Sequence, residues 1–517
     1  MSFATRASNF VSYCAALLLV TGCSGQKDES FTARQAVIDY DLLLAMPDEP
    51  LSFEHDVAPI IDKRCVVCHG CFDAPCQLKL SSYEGINRGA NPKKIYDAGR
   101  IRAAEPTRLF IDALSTAEWR DKNFSPVLNE GAPDPENNLE NSVMYQMLRL
   151  KQLNPQPRTG MVPDNFDLSL DREQFCADTE SFGNYAKDYP LQGMPFAMPN
   201  LSDEEYDTLV TWLGQGAPRS EPKRASAKAA TQIAIWENFL NGTTAKERLM
   251  SRYIYEHIFL SHIHFKGTDN REFYRLIRSR NPSGQPAVEI PSVRPYDDPG
   301  EGAFYYRIVR FQPSIVAKSH VVYRLSDQKL ERFRSLFLEP DYTVTSLPDY
   351  DPAKSANPFI VFRDIPPDSR YRFMLDDAKF YIEGFIKGPV CRGQVALNVI
   401  EDHFWVFFFN PDNASSMDRS EFLDSVSNDL NIPSERGSTL NLLAIWTDYR
   451  KKQRSYIETR ASYFEQNFSD ALSLDEAMQA VWNGNGENRN AALTVFRDFD
   501  SANVVYGLLG DYPETAW

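Results

Sequence analysis

Apolar residues at helical spacing dominate the first 220 positions of the chain. The runs SFEHDVAPIIDKR (52–64) and NLENSVMYQMLRL (138–150) place apolar residues three or four positions apart, which predicts helices with one buried face. In the run from 202 to 216, Ser202 and Glu205 form a capping box before another apolar stripe, and glycines end it. This part of the chain is therefore predicted to be mainly α.

In the rest of the chain, segments with the apolar spacing of strands alternate with segments that have the apolar spacing of helices. A second capping box, Thr244 with Glu247, predicts one helix from 245 to 265. Alternating, β-branched runs predict strands at 304–311 and 319–326. Further predicted elements are helices at 327–338 and 370–388 and a buried strand at 398–411. This second part is therefore predicted to be α+β.

Four cysteines and a histidine crowd the short run RCVVCHGCFDAPC (64–76). Within it, Cys65, Cys68 and His69 form C-x-x-C-H, the pattern of covalent c-type haem attachment. Two thiols reach the two vinyl groups of one porphyrin edge, and the adjacent histidine becomes the proximal iron ligand. A zinc site would need a second, separate ligand pair, which the sequence does not offer. The motif predicts one covalently bound haem c.

The sixth iron ligand is predicted to be a methionine. Met194 and Met198 each precede a proline in the loop before the last helix of this part, and Met161 is a third candidate. We favour Met194, then Met198, with a core-filling role as the alternative for each. His55, on the helix before the motif, is a weaker candidate for an axial ligand.

The other cysteines raise the question of disulfide pairing. Cys71 and Cys76 are close in sequence, which favours a small local disulfide between them. Cys176 and Cys391 are either free or paired. Disulfides of this kind are typical of exported proteins.

The amino-terminal residues predict export. One charge, Arg6, precedes a short apolar core, and the run VTGC ends at Cys23, which resembles the bacterial lipobox. We expect residues 1–22 to be a signal peptide, Cys23 the lipid-modified first mature residue, and 23–49 a tether. Ser24 favours outer-membrane sorting, so the expected location is the periplasm, on a lipid anchor. The alternative is an ordinary cleaved signal peptide with a chance cysteine.

Composition excludes several classes of function. The net charge of −16 argues against a nucleic-acid partner, because phosphates bind basic surfaces. It also argues against electrostatic docking on anionic lipid, so membrane contact is expected through the anchor or through apolar residues. A chain of 517 residues with 43% hydrophobic residues is long enough for two or more folded domains.

These patterns divide the mature chain into two domains. A mainly α, cytochrome c-like haem domain is expected at 50–217, a proline-bearing linker at 218–230 and an α+β domain at 231–517. The first domain is enlarged, because many more residues separate Cys68 from Met194 than a minimal cytochrome domain needs. The expected fold class is thus multidomain, with an α domain followed by an α+β domain.

The chain also resembles a known family, the periplasmic fatty acid cis/trans isomerases of Gram-negative bacteria. The resemblance is carried by RCVVCHGCFDAPCQLKL, EPTRLFIDALSTAEWR, GMPFAMPNLSDEEYDTLVTWLGQGAP, RYIYEHIFLSHIHF and YIEGFIKGPVCRGQVALNVIEDHFWVFFFNP. It implies a haem c-containing isomerase that converts cis double bonds of membrane acyl chains directly to trans and adjusts membrane fluidity under stress. Family members continue beyond the run LLGDYPETAW, so a chain that stops at Trp517 is either a truncated sequence or a natural short form of the family.

The resemblance also implies partners and chemistry. Unsaturated phospholipid acyl chains or free unsaturated fatty acids would be the substrates, and the cytochrome c maturation machinery would attach the haem. An electrophilic haem iron held by His69 would withdraw electron density from the double bond and let it rotate. The acyl chain would need an apolar groove, expected at the junction of the two domains.

Three other functions stay open on the residues alone. A periplasmic c-type cytochrome for electron transfer fits the first domain equally well but leaves the second unexplained. A haem peroxidase or sensor would use an open sixth position on the iron. A tethered binding module would use the haem only as a structural element.

Histidines outside the motif are predicted to be structural. His257 and His264 lie seven apart on one face of the predicted helix 245–265, with His262 pointing elsewhere. Hydrogen-bonded structural roles are favoured for them over contacts to haem or substrate. His403, in the aromatic run HFWVFFF, is predicted to lie on a core strand rather than on a lipid-dipping surface.

Overall fold

The computed structural model describes residues 38–71, 74–95, 105–156, 173–316, 319–352, 354–387, 411–412, 420–430, 442–467, 502–505 and 512–515. In these ranges it contains 17 α-helices, a four-stranded mixed sheet and a two-stranded ribbon. Two large clusters of buried apolar side chains organise most of the chain. We call residues 38–217, which contain one cluster, the first unit, and residues 218–387, which contain the other, the second unit.

Short helices joined by irregular segments build the first unit. A π-helical turn, Phe53–Val57, leads directly into the second helix. Among the described residues of this unit there is no β-strand. The helices are α1 (Tyr40–Leu44), α2 (Ala58–Arg64), α3 (Val66–His69), α4 (Tyr83–Arg88), α5 (Thr116–Asp121), α6 (Pro135–Glu140), α7 (Val143–Leu153), α8 (Phe182–Asp188) and α9 (Asp203–Gly214).

The first and last predicted helices meet at the centre of this unit. The rings of Phe53 and Trp212 lie 5.6 Å apart between centroids. The predicted capping box is present, because Ser202 Oγ accepts from the Glu205 amide at 3.2 Å and Glu205 Oε2 accepts from the Ser202 amide at 3.1 Å. Glu205 also binds Arg64 on α2 at 2.7 Å. One carboxylate therefore joins the start of α9 to the end of α2.

Part of the predicted tether is docked on the first unit. Helix α1 lies within 23–49, and the Asp39 amide before it donates to Tyr145 Oη at 2.8 Å. The Asp39 carboxylate pairs with Arg149 at 2.7 Å, and apolar residues of α1 pack on the unit's core. These residues of the expected tether therefore pack on the first unit, because α1 has an apolar face to bury.

One sheet and longer helices build the second unit. The strand order is β3-β2-β1-β4, antiparallel from β3 to β1, with β4 parallel to β1. The parallel register places His262 opposite Val322. The elements are α10 (Ala227–Leu240), α11 (Ala245–Ile258), β1 (His262–Phe265), β2 (Tyr274–Ser279), β3 (Tyr305–Arg310), β4 (Val322–Leu325), α12 (Asp327–Phe337), α13 (Pro358–Val361), α14 (Pro367–Asp376) and α15 (Ala378–Lys387).

An aromatic cluster holds the helices of the second unit together. Phe373 is fully buried, and its ring centroid lies 5.3 Å from that of Tyr253, 5.1 Å from Phe333 and 5.5 Å from Phe337. These rings come from α11, α12 and α14. Complete burial of one such side chain contributes about 1.5–3 kcal/mol, so this cluster is a main source of stability for the unit.

Polar side chains at the end of α10 cover the outer edge of β3. Asn241, which follows α10, exchanges two hydrogen bonds of 2.9 Å with the backbone of Tyr306. Glu237 accepts from the Ile308 amide at 2.8 Å and pairs with Arg307 at 2.9 Å. Only 1% of the Glu237 surface is exposed. These contacts therefore pack α10 against the edge of β3.

The predicted helix 245–265 is wrong in its second half. The capping box is present, but α11 ends at Ile258 and the chain continues as β1. On entering the sheet, His262 donates its amide to the Val321 carbonyl at 2.8 Å. Pairing with β4 thus overrides the apolar spacing that continues the helical pattern past the end of α11.

Other predicted elements are present with changed limits. The strands at 304–311 and 319–326 are β3 and β4, and the helix at 327–338 is α12. The helix predicted at 370–388 is two helices, α14 and α15, separated at Asp377. The sequence patterns did not predict β2, and α10 begins at Ala227, inside the predicted linker. Apart from residue 411, the strand predicted at 398–411 lies outside the described residues.

Four further elements follow the second unit. They are α16 (Ser420–Val426), α17 (Leu442–Asn467), and the antiparallel strands β5 (Ala502–Val505) and β6 (Tyr512–Thr515). None of the helices in the described part of the chain combines the length and apolar character needed to cross a bilayer. The predicted lipid-modified residue, Cys23, lies outside the described residues.

Candidate functional site

The C-x-x-C-H motif lies at the junction of two short helices. Cys65 follows α2, and α3 carries Cys68 and His69. Cys68 is exposed, Cys65 is half-buried and His69 is only 8% exposed. The turn therefore leaves the Cys68 side chain exposed and holds the imidazole inside the first unit.

One hydrogen bond fixes the tautomer of His69. Its Nδ1 lies 2.9 Å from the carbonyl oxygen of Leu78, which can only accept, so Nδ1 carries the proton. The lone pair of the ring is then on Nε2, the nitrogen that a proximal histidine offers to iron. The His69 carbonyl in turn accepts from the Leu80 amide at 2.7 Å. Residues 78–80 thus hold both the ring and the backbone of His69.

The state of the cysteines fits haem attachment. Of the five cysteines in the described ranges, Cys65 and Cys68 are thiols, whereas Cys71, Cys76 and Cys176 are in disulfides. Burial raises the pKa of the Cys65 thiol to about 12, so the thiol is protonated when no group is bound. Within the same ranges, no group of three or more acidic, histidine or cysteine side chains could hold a metal ion. These residues suit a porphyrin bound by two thioethers and one imidazole.

The predicted disulfide between Cys71 and Cys76 is wrong. Cys76 is bonded to Cys176, a hundred positions away, with Cα atoms 5.7 Å apart. Cys76 sits in a tight turn with a φ of 54°, and its amide donates to the Gln174 side chain at 3.2 Å. The turn is therefore joined to the segment 173–176. Cys71 is also disulfide-bonded, but not to Cys76. Closeness in sequence did not identify the partner.

The two described methionine candidates lie in the loop between α8 and α9. Met194 and Met198 are both partly buried. The Met194 amide donates to the Met147 carbonyl on α7 at 3.0 Å, and a Cβ on Gly193 would lie 2.3 Å from a backbone nitrogen of α7. The loop is therefore pressed against α7. Met194 as sixth ligand, with Met198 as alternative, stays a prediction, and Met161 lies outside the described residues.

A cavity of about 170 Å³ lies between the two units beside the motif. The first unit contributes Gly70, which directly follows the motif, together with Phe110 and Ile111. The second unit contributes mainly apolar side chains, including Phe259, Leu276, Ile290, Phe311, Val316 and Phe380. A cavity is thus present where an apolar groove was expected, between the motif and the second unit.

Gly70 allows the second unit to approach the motif closely. A Cβ at this position would lie 2.9 Å from Cγ2 of Val316 and 2.7 Å from the carbonyl oxygen of Val66. In the same contact zone, the Ser314 amide donates to the Ser81 carbonyl at 2.6 Å. A side chain at position 70 would therefore push the two units apart at the mouth of the cavity.

His262, which lines the cavity, contacts a second histidine of the second unit, His320. Nδ1 of His262, in β1, lies 2.5 Å from Nδ1 of His320, two residues before β4. One of these nitrogens carries a proton and donates it to the other. Burial, followed by the charges of His320, Lys79 and Arg275, lowers the pKa of His262 to about 3, so His262 is neutral at neutral pH. Sequence reasoning missed this pair, because the parallel pairing of β1 with β4 creates it.

The histidines singled out from the sequence lie apart from each other. His257 Nδ1 donates at 2.7 Å to a carbonyl one turn earlier in α11, and burial lowers its pKa to about 4, which agrees with a structural role. His264 lies in β1, with Nε2 3.2 Å from the Asp269 carbonyl, so it shares no helix face with His257. His55 is exposed, and His403 lies outside the described residues.

The site therefore combines a covalent-attachment motif with an apolar cavity, which is an arrangement suited to an enzyme that acts on a hydrocarbon-rich substrate. Residues 104–517, about four fifths of the chain, match the family described as Fatty acid cis/trans isomerase (CTI). The chain belongs to the fatty acid cis/trans isomerase family and is thus an isomerase acting on fatty acids. The resemblance expected from the sequence is confirmed.

Other comparisons add no further relative. No curated protein and no solved structure matches the chain. The family match begins at residue 104, after the C-x-x-C-H motif, so it includes the second unit but not Cys65, Cys68 or His69. The reaction class thus comes from the family match, whereas the haem stays a prediction from the motif.

Proposed function

We propose that the protein converts cis double bonds of membrane fatty acyl chains to trans with the help of one haem c, and so adjusts membrane fluidity under stress. The observation that carries this proposal is the apolar cavity, which reaches Gly70 directly after the C-x-x-C-H motif. An acyl chain bound there would contact both units next to the attachment site.

The first unit would hold the haem through three residues. Cys65 and Cys68 would form the thioethers, and His69 would bind iron through Nε2, oriented by the carbonyl that Nδ1 contacts. When bound, the haem supplies an electrophilic iron that can lower the π order of a double bond without consuming a reductant. Met194 would be a further ligand of the iron, with Met198 as the alternative. On this proposal the first unit is an enlarged cytochrome c-like domain.

The second unit would bind the acyl chain and exclude water from it. Phe259, Phe311 and Phe380 offer apolar contact along the cavity. His262, which is neutral and hydrogen-bonded to His320, lies beside them. Rotation about a double bond transfers no proton. The cavity residues of the second unit therefore need to orient the acyl chain and exclude water, and no general acid or base is required.

We further propose that the protein works in the periplasm, tethered to the outer membrane by a lipid on Cys23. The Cys76–Cys176 disulfide supports an oxidising compartment. The cytochrome c maturation machinery would attach the haem there. The anchor would bring the cavity close to its substrates, which are the acyl chains of phospholipids or free unsaturated fatty acids.

The acyl composition of cells tests this proposal. Cells that express the wild-type chain should contain trans-unsaturated fatty acids, measured as methyl esters by gas chromatography. The double variant Cys65→Ala/Cys68→Ala should reduce the trans fraction to that of cells without the gene, because the haem can no longer be attached. Lys187→Gln, an exposed change on α8, is the matched control and should behave as wild type.

Different failures point to different functions. A trans fraction that the double cysteine change leaves intact would show that the reaction does not need a covalently bound haem. A wild-type chain that forms no trans product but consumes hydrogen peroxide would be a peroxidase. Reversible reduction by a soluble donor with unchanged lipids would instead indicate an electron carrier.

A further inference from the structure

Four basic side chains line the otherwise mainly apolar cavity: Lys79, Arg108, Arg275 and Arg278. Two of them have carboxylate partners. Arg108 Nη2 lies 3.0 Å from Asp112 Oδ1, and Arg275 Nη2 lies 3.0 Å from Glu289 Oε2. These two pairs are neutral, so they add no net charge to the cavity.

Arg278 is buried without a carboxylate partner in the part of the chain that the structure describes. It is 1% exposed, and its two terminal nitrogens donate to the Asp297 carbonyl and the Ser292 hydroxyl, both at 2.7 Å. Its Nε has no acceptor among the same residues. Glu256, which feels the charge of Arg278, is itself paired with Arg252 at 2.7 Å. The positive charge of Arg278 is therefore not balanced by a direct ion pair.

Lys79 is a second unbalanced cation, held next to the motif. Leu78 and Leu80 on either side of it bind the ring and the backbone of His69, so its position relative to the motif is fixed. Burial, followed by the charge of Arg88, lowers the pKa of Lys79 to about 8, so the ammonium group is still mostly protonated at pH 7. Its side chain makes no ion pair with the described residues, and the cavity thus contains two positive charges in need of an anion.

We propose that Lys79 binds the carboxylate of a non-esterified acyl substrate in this cavity, with Arg278 supplying a second positive charge. The inference rests on the proposed function, because it concerns the same cavity. Arg278 is a buried cation without a counterion, which is unfavourable, and a ligand carboxylate would compensate its charge and that of the half-buried Lys79. The rest of the cavity lining is mainly apolar, so a fatty acid would place its hydrocarbon chain there and its carboxylate at Lys79.

Binding of a saturated probe tests the inference without relying on catalysis. Isothermal titration calorimetry of the purified haem-loaded protein would compare hexadecanoate, its methyl ester, and phosphatidylglycerol vesicles, none of which can be isomerised if all acyl chains are saturated. Wild type should bind hexadecanoate more tightly than the ester. Lys79→Gln should weaken the binding of hexadecanoate about 10- to 100-fold, because one charge-assisted contact is lost. The affinity for the methyl ester should stay unchanged. Lys79→Arg should restore most of the binding, and Lys187→Gln should have no effect.

Each contrary result overturns the assignment. Equal affinity of wild type for acid and ester would show that no cation recognises the carboxylate, whatever the variants do. Hexadecanoate binding that is unchanged in Lys79→Gln would remove Lys79 from the site. If the binding of vesicles depends on Lys79 but the binding of hexadecanoate does not, Lys79 recognises a phosphate instead of a carboxylate. If wild type binds hexadecanoate through Lys79 but never isomerises cis-hexadecenoate, the proposed function fails and this inference stands.

Discussion

The two units are stabilised in different ways. The first is built of helices of at most 12 residues, joined by long irregular segments, and a disulfide links positions 76 and 176 within it. The second has a sheet, two helices of 14 residues and a cluster of interlocking aromatic rings, and its sequence from 218 to 387 contains no cysteine. Covalent links thus occur in the unit with short helices and the haem motif, and apolar packing dominates the other unit.

Removing the Cys76–Cys176 disulfide is expected to have the largest effect. Cys76→Ser/Cys176→Ser opens a loop of a hundred residues, and the chain-entropy estimate for such a loop is about 4.7 kcal/mol. The loss should be confined to the first unit. Native-state hydrogen exchange should show faster exchange in α7 and α9, with unchanged protection in β2 and β3. Equal loss in both units would mean that they do not differ as described.

The matching change in the second unit is Phe373→Ala. It removes a fully buried ring that contacts Tyr253, Phe333 and Phe337, and the expected loss of unfolding free energy is about 4 kcal/mol. Exchange should now increase in α11, α12 and α14. The control is the next residue, Met374→Ala, which is 38% exposed and should change stability by less than about 0.5 kcal/mol. Similar effects of the two changes would argue against a decisive aromatic cluster.

A smaller and pH-dependent effect is expected for Glu205 in the first unit. Its hydrogen bond to Arg64 is the main cause that lowers the pKa of Glu205 from about 4.5 to about 2. Because the folded pKa is the lower one, the stabilisation is fully present above about pH 4.5 and is lost as the pH falls towards 2. Glu205→Gln should therefore destabilise by about 3 kcal/mol at neutral pH.

Denaturant unfolding between pH 2 and 7 measures this difference. The difference in unfolding free energy between wild type and Glu205→Gln should disappear as the pH falls towards 2. Glu204→Gln, on the exposed side of the same turn, should follow wild type throughout. A gap that is independent of pH would assign the effect to packing instead of to the ion pair.

Local patterns predicted much of the fold where short-range interactions decide it. The capping boxes of α9 and α11, the strands β3 and β4 and helix α12 follow from residues that lie next to each other in sequence. The end of α11 was placed wrongly, because the switch to β1 depends on pairing with a strand some 60 positions later. The disulfide partner of Cys76 depends likewise on a distant segment.

The residues of the candidate site likewise fall into those that local sequence predicts and those that only distant contacts bring together. The C-x-x-C-H motif is contiguous, so Cys65, Cys68 and His69 could be identified from their spacing. The His262–His320 contact and the unbalanced charge of Arg278 arise only when separate strands and loops come together. No local signal marks such residues, since each one alone has the features of an ordinary strand or loop residue.

The outer side of β3 is closed to other chains. An open strand edge is a template on which a foreign strand can grow, but here an amide side chain, Asn241, already occupies both the donor and the acceptor of Tyr306. A buried carboxylate, Glu237, takes the next amide along. Self-association or capture of an extended peptide at this margin would require α10 to detach, so any such contact is expected elsewhere on the surface.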